Sequence, residues 1–395
     1  PPPQIFWLGF ALAQLCYAEG GERPTAFVGL AGNSSLVIRP PPDGQVLIDG
    51  ADFRALVDRV HALEQQLDEQ RCTPVADATT ITGLSGAIAK WVGGVLAGNG
   101  KIYGIPFRST SVLIINPATN TADTTSIAGL SADIAKWAGG VLAGNGKIYG
   151  IPNNAASVLV IDPATNTADA TTITGLGGSE KWYGGVLAGN GKIYEIPYNS
   201  NSVLIIDPAT NTADTTTITI PSGACCKWIG GALAGNDKIY GFPYNSNSVL
   251  IIDPSTNTAD TTTIIGLSSA GLKWVGGAVA GNGKIYGMPD NSASVLIIDP
   301  STNTADSTTI AGLSGGNKWL GAVLAGNGRI YGIPHSSASV LIIDPITNTA
   351  DATTLMSVSG SGLWFGGVLA GNGKIYGIPH DSASVLIIKR DCEGL

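Results

Sequence analysis

Apolar residues in this chain come in short runs that recur on a fixed period. Trp91 opens WVGGVLAGNGKIYGIP, and the same phrase returns with small changes at Trp137, Trp182, Trp228, Trp274, Trp319 and Trp364, a spacing of 45 or 46 residues each time. A period of that length marks a repeat architecture, in which one unit cannot bury its own apolar face and must stack on its neighbours. Each copy divides into four strand-like pieces. Trp91–Gly98 is the first, and Asn99-Gly100 after it is a type I′ hairpin signal. Lys101–Pro106 is the second and Ser111–Ile115 (SVLII) the third. That unbroken apolar run predicts a strand covered on both faces. Asn116-Pro117-Ala118-Thr119-Asn120-Thr121 then turns the chain, with Asp at the first position in five other copies, and Ala122–Ile127 is the fourth strand.

Four antiparallel strands per unit predict an all-β fold, a seven-bladed β-propeller over residues 74–395. The glycine pair Gly93-Gly94 falls where inner strands crowd the axis. The Thr-rich strand is displaced by one unit. A copy at Ala76–Thr82 precedes the first tryptophan, and the last copy stops after Ser384–Ile388 without one. The N-terminal strand is therefore expected to complete the final blade, which leaves no free edge. Alignment to the other turns places Cys72 and Cys392 together in the missing connection. A disulfide there would replace the absent covalent link, worth about 5 kcal/mol in the chain-entropy model, and needs an oxidising compartment.

The segment before the repeats reads differently. Ile5–Ala18 (IFWLGFALAQLCYA) suits the apolar core of a secretory signal and is too short to span a bilayer. The alternative is an N-terminal strand or helix against the body. Residues 19–50 form an irregular linker, in which Ser35–Ile38 and Gln45–Ile48 flank a Pro-rich turn and can pair as a hairpin. Asn33-Ser34-Ser35 is a glycosylation acceptor pattern in a secreted chain. Over 51–71, Phe53, Leu56, Val60, Leu63 and Leu67 alternate three and four apart, predicting a helix with a narrow apolar stripe. That stripe serves a homo-oligomeric coiled coil, or docking onto the main domain or the hairpin.

The phrases NGKIYGIP and SVLIIDPATNTAD resemble those of kelch-like and related seven-bladed propellers. True kelch repeats carry a glycine pair after the second strand and a tryptophan soon after the turn. Here Gly-Ile-Pro and Ala122 occupy those places, so the likeness is to the fold. It implies a binding platform more often than an enzyme, and fold alone names no function.

Composition narrows the classes. A net charge of −8 with no basic stripe argues against nucleic acid. Three histidines and two methionines leave few metal-ligating or catalytic types, and no cofactor motif is present. The copies differ most in the loops between second and third strands: Phe107-Arg108, Asn153-Asn154, Tyr198-Asn199, Tyr244-Asn245, Asp290-Asn291, His335-Ser336 and His380-Asp381. Variation on a rigid scaffold is where specificity resides. Rings that stack and amides that donate and accept suit sugars or peptides. These loops are thus candidate ligand contacts, against the alternative of solvated tips drifting after duplication. Asp290, His335, His380 and Asp381 lie on three consecutive copies. Equivalent loops are expected about 10 Å apart on the strand spacing, too far to share a metal with ligands about 2 Å away. Lys90, Lys136, Lys181, Lys227, Lys273 and Lys318 each precede a tryptophan, with Leu363 breaking the series. They either form a cationic collar at the pore or cover the indole faces with their stems and point outward. Cys225-Cys226 is a neighbouring pair with no assigned role, and Glu195 stands alone where other copies have Gly.

The expectation is a secreted or cell-surface propeller that binds a glycan or an extracellular protein without catalysis. The competing readings are a self-assembling surface component and a propeller-type hydrolase or lactonase.

Overall fold

The computed structural model describes residues 27–30, 36–39, 47–48, 51–52, 72–223, 225–355 and 360–392. Residues 74–391 form the propeller, as a unit separate from the chain before it. Seven four-stranded antiparallel sheets follow one another. Blades 1 to 6 begin at Trp91, Trp137, Trp182, Trp228, Trp274 and Trp319, and each uses four consecutive strands. Blade 7 takes Trp364–Leu369, Ile375–Pro379 and Leu386–Cys392, and Cys72–Asp77 pairs as its outer strand. The closure predicted from the displaced Thr-rich copy is thus present. It continues past the strand, with Val385 N donating to Ile81 O at 3.0 Å and Leu84 N to Ala383 O at 3.0 Å.

The outer strands are shorter than expected. In blade 1 the strand is Thr121–Asp123 instead of 122–127, and the closing strand is 72–77 instead of 76–82. The cause is the aspartate at its end. Asp123 Oδ1 accepts from Thr125 N at 2.7 Å and from Thr125 Oγ1 at 2.8 Å, a local turn that competes with the ladder. The chain then folds back, so that Ile127 is buried and its carbonyl accepts from Val112 N at 3.0 Å. The Asn-Gly hairpins also differ from the type I′ expectation. Only Gly100 has positive φ (76°), and Gly100 N bonds Ala97 O while Ala97 N bonds Lys101 O. That is a type I turn followed by a left-handed glycine. It frees Asn99, whose Oδ1 accepts from Lys101 N and whose Nδ2 reaches Tyr103 and Pro163 O of the next blade.

Every inner strand carries a bulge between its tryptophan and the second glycine. The first glycine supplies the left-handed conformation; Gly93 has φ 71°. A Cβ on Gly184 would lie 2.9 Å from Gly230 Cα, and one on Gly321 2.9 Å from Gly366 Cα. The series runs round the axis and closes, since Gly366 meets Gly93 at 3.2 Å. The second glycine has a different reason: a Cβ on Gly94 would strike Ile378 Cδ1 at 2.5 Å in the preceding blade. Blade 6 alone has alanine there, Ala322. The equivalent side chain in the blade before it is Met288, in place of Ile or Phe. An unbranched thioether yields where those do not.

The core lies between blades. Trp91, Ile102, Leu113 and Ile115 of blade 1 pack with Val368, Tyr376, Ile378 and Ile387 of blade 7, and six similar clusters complete the ring. The SVLII strand is covered on both faces as predicted, with Val112, Leu113 and Ile115 wholly buried. Each indole donates to the carbonyl twenty residues on, Trp91 Nε1 to Ser111 O at 2.8 Å.

In the N-terminal part, Phe27–Leu30 pairs with Leu36–Arg39, and Leu47–Ile48 with Ala51–Asp52. The pairing expected between 35–38 and 45–48 is therefore replaced by two others, of four and two residues a side. Ala51–Asp52 is strand, where the apolar spacing had placed a helix start. Residues 53–71, the signal-like segment 1–18 and Asn33 lie outside the described residues, as do the side chains of Cys72 and Cys392. Among the described residues no helix is long and apolar enough to cross a membrane.

Gly321→Ala forces a left-handed alanine against Gly366 and should lower stability by more than about 1 kcal/mol in chemical denaturation. An unchanged midpoint would mean that the axis relaxes freely. Glu195 is fully buried and neither carboxyl oxygen has a partner. Burial raises its pKa well above 4.5, with Lys181 opposing. A raised folded pKa means that the stability present below 4.5 is lost as pH rises toward the folded value. The advantage of Glu195→Gln over the wild type should therefore grow between pH 5 and 8, by up to about 1.4 kcal/mol per unit. Denaturation at four pH values checks it, and a flat difference refutes it.

Candidate functional site

The site is built by a belt of backbone hydrogen bonds around one end of the axis. In each blade the residue after the second strand donates its N–H to the carbonyl of the residue before its own tryptophan. Its carbonyl accepts from the corresponding N–H of the next blade. Phe107 N thus bonds Lys90 O at 2.9 Å, and Lys136 N bonds Phe107 O at 2.9 Å. The pattern passes through Asn153, Tyr198, Tyr244, Asp290, His335 and His380 and returns through Lys90 N to His380 O. Seven variable side chains are thereby held in one ring.

The lysines secure this belt. Lys90, Lys136, Lys181, Lys227, Lys273 and Lys318 are all buried, at 1–6% exposure. Lys181 Nζ donates to Asn153 O, Ala155 O and Gly178 O, and Lys318 Nζ to Asp290 O, Ser292 O and Gly315 O, all within 3.0 Å. Five of the ammoniums sit 5.7–5.9 Å from the indole centroid of the following tryptophan. Burial lowers their pKa values, to about 8 for Lys181 and Lys273. The indole contact expected from sequence is present. The heads, however, neither point outward nor line a pore; they staple one blade to the next.

Inside the belt lies the axis. The bulge turns the residue after each tryptophan inward, and Val92, Ala138, Tyr183, Ile229, Val275 and Phe365, with the glycine ring, line an apolar cavity of about 100 Å³. Ile229, Val275 and Leu320 pack there against Tyr183, Tyr198, Tyr244 and Phe365. The rings form an almost continuous wall. Tyr183 lies 5.9 Å from Tyr198 and 5.7 Å from Phe365, Tyr198 6.1 Å from Tyr244, Phe365 6.0 Å from His380, and His380 6.5 Å from Phe107. His335 and His380, on adjacent blades, are 5.4 Å apart, about half the spacing expected for these loops. The sequence estimate placed the loops on a wide circle, whereas the belt draws their first residue toward the axis. Among the described residues no group of three or more metal-ligating side chains converges.

The second loop residues do something else. Asn154 Oδ1 accepts from Glu180 N at 2.7 Å, Asn199 Oδ1 from Cys226 N at 2.7 Å and Asn245 Oδ1 from Leu272 N at 2.9 Å. Asp381 Oδ1 does the same for Ala89 N at 2.6 Å. Glu180, Cys226, Leu272 and Ala89 all have positive φ, so each clasp holds a left-handed residue of the adjoining loop. These side chains, offered above as ligand contacts, are occupied in the scaffold. Arg108 is exposed. Asn153 is buried and its Nδ2 donates to Trp182 O at 3.1 Å. The residues left half-exposed at the mouth are therefore Phe107, Tyr198, Tyr244, His335 and His380, joined by Tyr183 and Phe365, while Asp290 is buried at its place in the same ring. Tyr183 and Phe365 were missed, although their signal was present: the position after each tryptophan is the most varied in an otherwise repetitive strand.

Burial sets the protonation states. It raises the hydroxyl pKa values of Tyr183, Tyr198 and Tyr244, and lowers His335 to about 4 with help from His380. His380 is also lowered, against the opposing pull of Asp381, whose Oδ1 lies 2.8 Å from Nδ1. Burial pushes Asp290 up to about 6. Cys225 and Cys226 are free thiols with sulfurs 3.0 Å apart, and burial raises Cys226 to about 11.

No family model and no curated protein matches the chain. Many solved structures do. A streptogramin B lyase aligns with TM-score 0.62 at 12% identity, over 82% of this chain and 99% of its own. The extracellular domain of a one-component system from B. thetaiotaomicron aligns at 0.57 and 11%, over 77% of this chain and 41% of that one. An auxiliary nutrient-binding protein from Bacteroides ovatus aligns at 0.52 and 12%, over 81% and 78%. At these identities the likeness is one of fold: this is a seven-bladed propeller, and no kelch family membership is established.

The clasps and the mouth separate experimentally. Asn245→Ala should lower stability by about 1 kcal/mol, the net worth of the hydrogen bond that holds Leu272 in its left-handed conformation. A solvated loop-tip amide would give a change within about 0.5 kcal/mol, and that result in a denaturation series would return Asn245 to the pool of free contacts.

Proposed function

We propose that the protein is a non-catalytic binding module of the cell surface or extracellular space that takes a glycan on the aromatic mouth of its channel. One observation carries the reading. Rings from five blades meet around an apolar floor, and the belt beneath them fixes their positions. Sugar rings present C–H faces that stack on such surfaces, and preorganised rings lose little rotamer freedom on binding. The fold-level neighbours include an extracellular sensor domain and a nutrient-binding protein, which agrees with this role without assigning it. An extracellular protein partner is the related reading, and its contact would spread over the whole loop face.

The enzyme reading has its own observation in favour. His380 and Asp381 form a pair at the mouth beside His335, a geometry that could move a proton. A hydrolase or lactonase reading requires that lactone or ester turnover be found and that His380→Ala abolish it.

A glycan screen of the full chain tests the binding reading. Tyr198→Ala and Tyr244→Ala are each expected to weaken the best ligand at least tenfold without shifting the thermal midpoint of the propeller by more than a few degrees. Full affinity in the double variant would remove these rings from the site.

A further inference from the structure

We propose that the ligand of the mouth carries a protonated amine, received by the carboxylate of Asp290. This rests on the glycan reading above and narrows it to amino sugars.

Asp290 occupies the blade 5 position of the belt, between Tyr244 and His335 in ring order. It is 2% exposed, and its Oδ1 has no hydrogen-bond partner. A carboxyl placed this way has no structural explanation in the fold. The equivalent residue of blade 2 is Asn153, which satisfies the same position by donating to Trp182 O. An ionised carboxyl has no proton for such a bond. Lys318 favours the anion through space, but its three N–H groups are matched by three backbone carbonyls and none donates to the carboxyl. A buried anion with one oxygen left unpartnered is expensive to maintain. One that persists at a ring of variable residues fits a ligand that supplies the missing donor.

The surroundings specify the donor. The Tyr244 hydroxyl lies beside the carboxyl and favours its ionised form. Tyr244 stands at the end of the ring series Tyr183–Tyr198–Tyr244. An ammonium that displaces the Tyr244 hydroxyl meets a carboxylate and aromatic faces together, the combination that favours a cation over a neutral hydroxyl. A sugar ring beside it would lie on the same wall. The amine could equally arrive on a lysine side chain, so the test separates the two sources.

Three tetrasaccharides with the same β-1,4 backbone differ only at C2: glucosamine tetramer (ammonium), N-acetylglucosamine tetramer (amide) and cellotetraose (hydroxyl). Nα-acetyl-lysine amide is the fourth probe. Titration calorimetry of the full chain near pH 7, at moderate and at high salt, is expected to show the glucosamine tetramer binding at least tenfold tighter than cellotetraose. Asp290→Asn should erase that preference and keep the affinity for the neutral sugars. The variant is expected to fold, because Asn153 shows that the position accepts an amide, and its thermal midpoint checks this. Equal affinity for all three sugars in the wild type overturns the amine inference and leaves the glycan reading standing. A preference that survives in Asp290→Asn, or that vanishes at high salt in both proteins, overturns the assignment to Asp290 in favour of diffuse attraction to an acidic surface. Binding of the lysine probe alone, lost in Asp290→Asn, removes the glycan reading and keeps the amine. If none of the four binds, both fall.

Discussion

The propeller closes on a ring of glycines in backbone contact. Seven of them stand in a circle, each with a left-handed backbone, each so near the next that a single added carbon would strike its Cα or nearly so. That contact sets the radius of the propeller, and the radius sets the rest. Inner strands at this separation bring the inter-blade clusters into register, so that every tryptophan, isoleucine and tyrosine of one blade meets the next at the same depth. The bulge that accompanies the glycine also rotates the preceding residue toward the axis. Without it, Tyr183 and Phe365 would project from one face of their own sheets toward a neighbouring blade. The floor of the mouth is thus a by-product of how the ring closes.

From that constraint comes a division of labour within one short loop. The first residue after the second strand is fixed by its backbone, through the belt and the lysine ammonium, so its side chain is free to vary. The second residue is fixed by its side chain, which clasps a left-handed residue across the loop, so it stays Asn, Asp or Ser in six of seven blades. A sequence comparison sees both positions as variable and polar. Only the hydrogen bonds distinguish the side chain that holds the loop from the one that faces the ligand. The same logic explains why lysine precedes six tryptophans. A long stem is needed to cross the indole, and three donors are needed to gather carbonyls from two blades.

Much of the architecture was legible because it is periodic. The seven tryptophans, the displaced Thr-rich strand and the closing of blade 7 by the segment before the first tryptophan all follow from counting and register, although the strand itself is 72–77 and not 76–82. What the pattern did not disclose was competition between local and ladder hydrogen bonds. Asp123 and its equivalents look like strand residues by alternation, yet their carboxyls capture the residues two and three positions on and end the strand. Asn99-Gly100 looks like a type I′ pair, yet Asn99 is needed as a side-chain bridge to the next blade, and the turn adapts. The mouth was legible in part. Tyr198, Tyr244, Asp290, His335 and His380 stood out because they vary. Their convergence was hidden because distance was estimated from strand spacing, while the belt that draws them together involves backbone atoms that carry no sequence signature.

The opposite end of the propeller shows why variation is confined to this one. There Tyr103 bonds Asn166 of the next blade at 3.0 Å, Asn99 reaches Pro163 O, and the arrangement repeats round to Tyr376, which meets Asn120 of blade 1. Asn166, Asn120 and their equivalents in the third-to-fourth turns have positive φ and accept from a tyrosine, so backbone and side chain both constrain them. Substitution at any of these residues breaks an inter-blade bond, which accounts for turns that hardly change along the chain. Tyr331 is the exception among the tyrosines. Its partner turn would belong to blade 7, where the chain has no third-to-fourth connection and strands from opposite ends of the sequence pair instead. Among the described residues its hydroxyl is met by Asn327 alone. One face therefore spends its side chains on joining blades, and the other joins them through backbone and lysine. Only the second arrangement leaves seven neighbouring positions where a residue can change without opening the ring, and it is at those positions that the tyrosines, the histidines and the unsatisfied carboxyl of Asp290 are found.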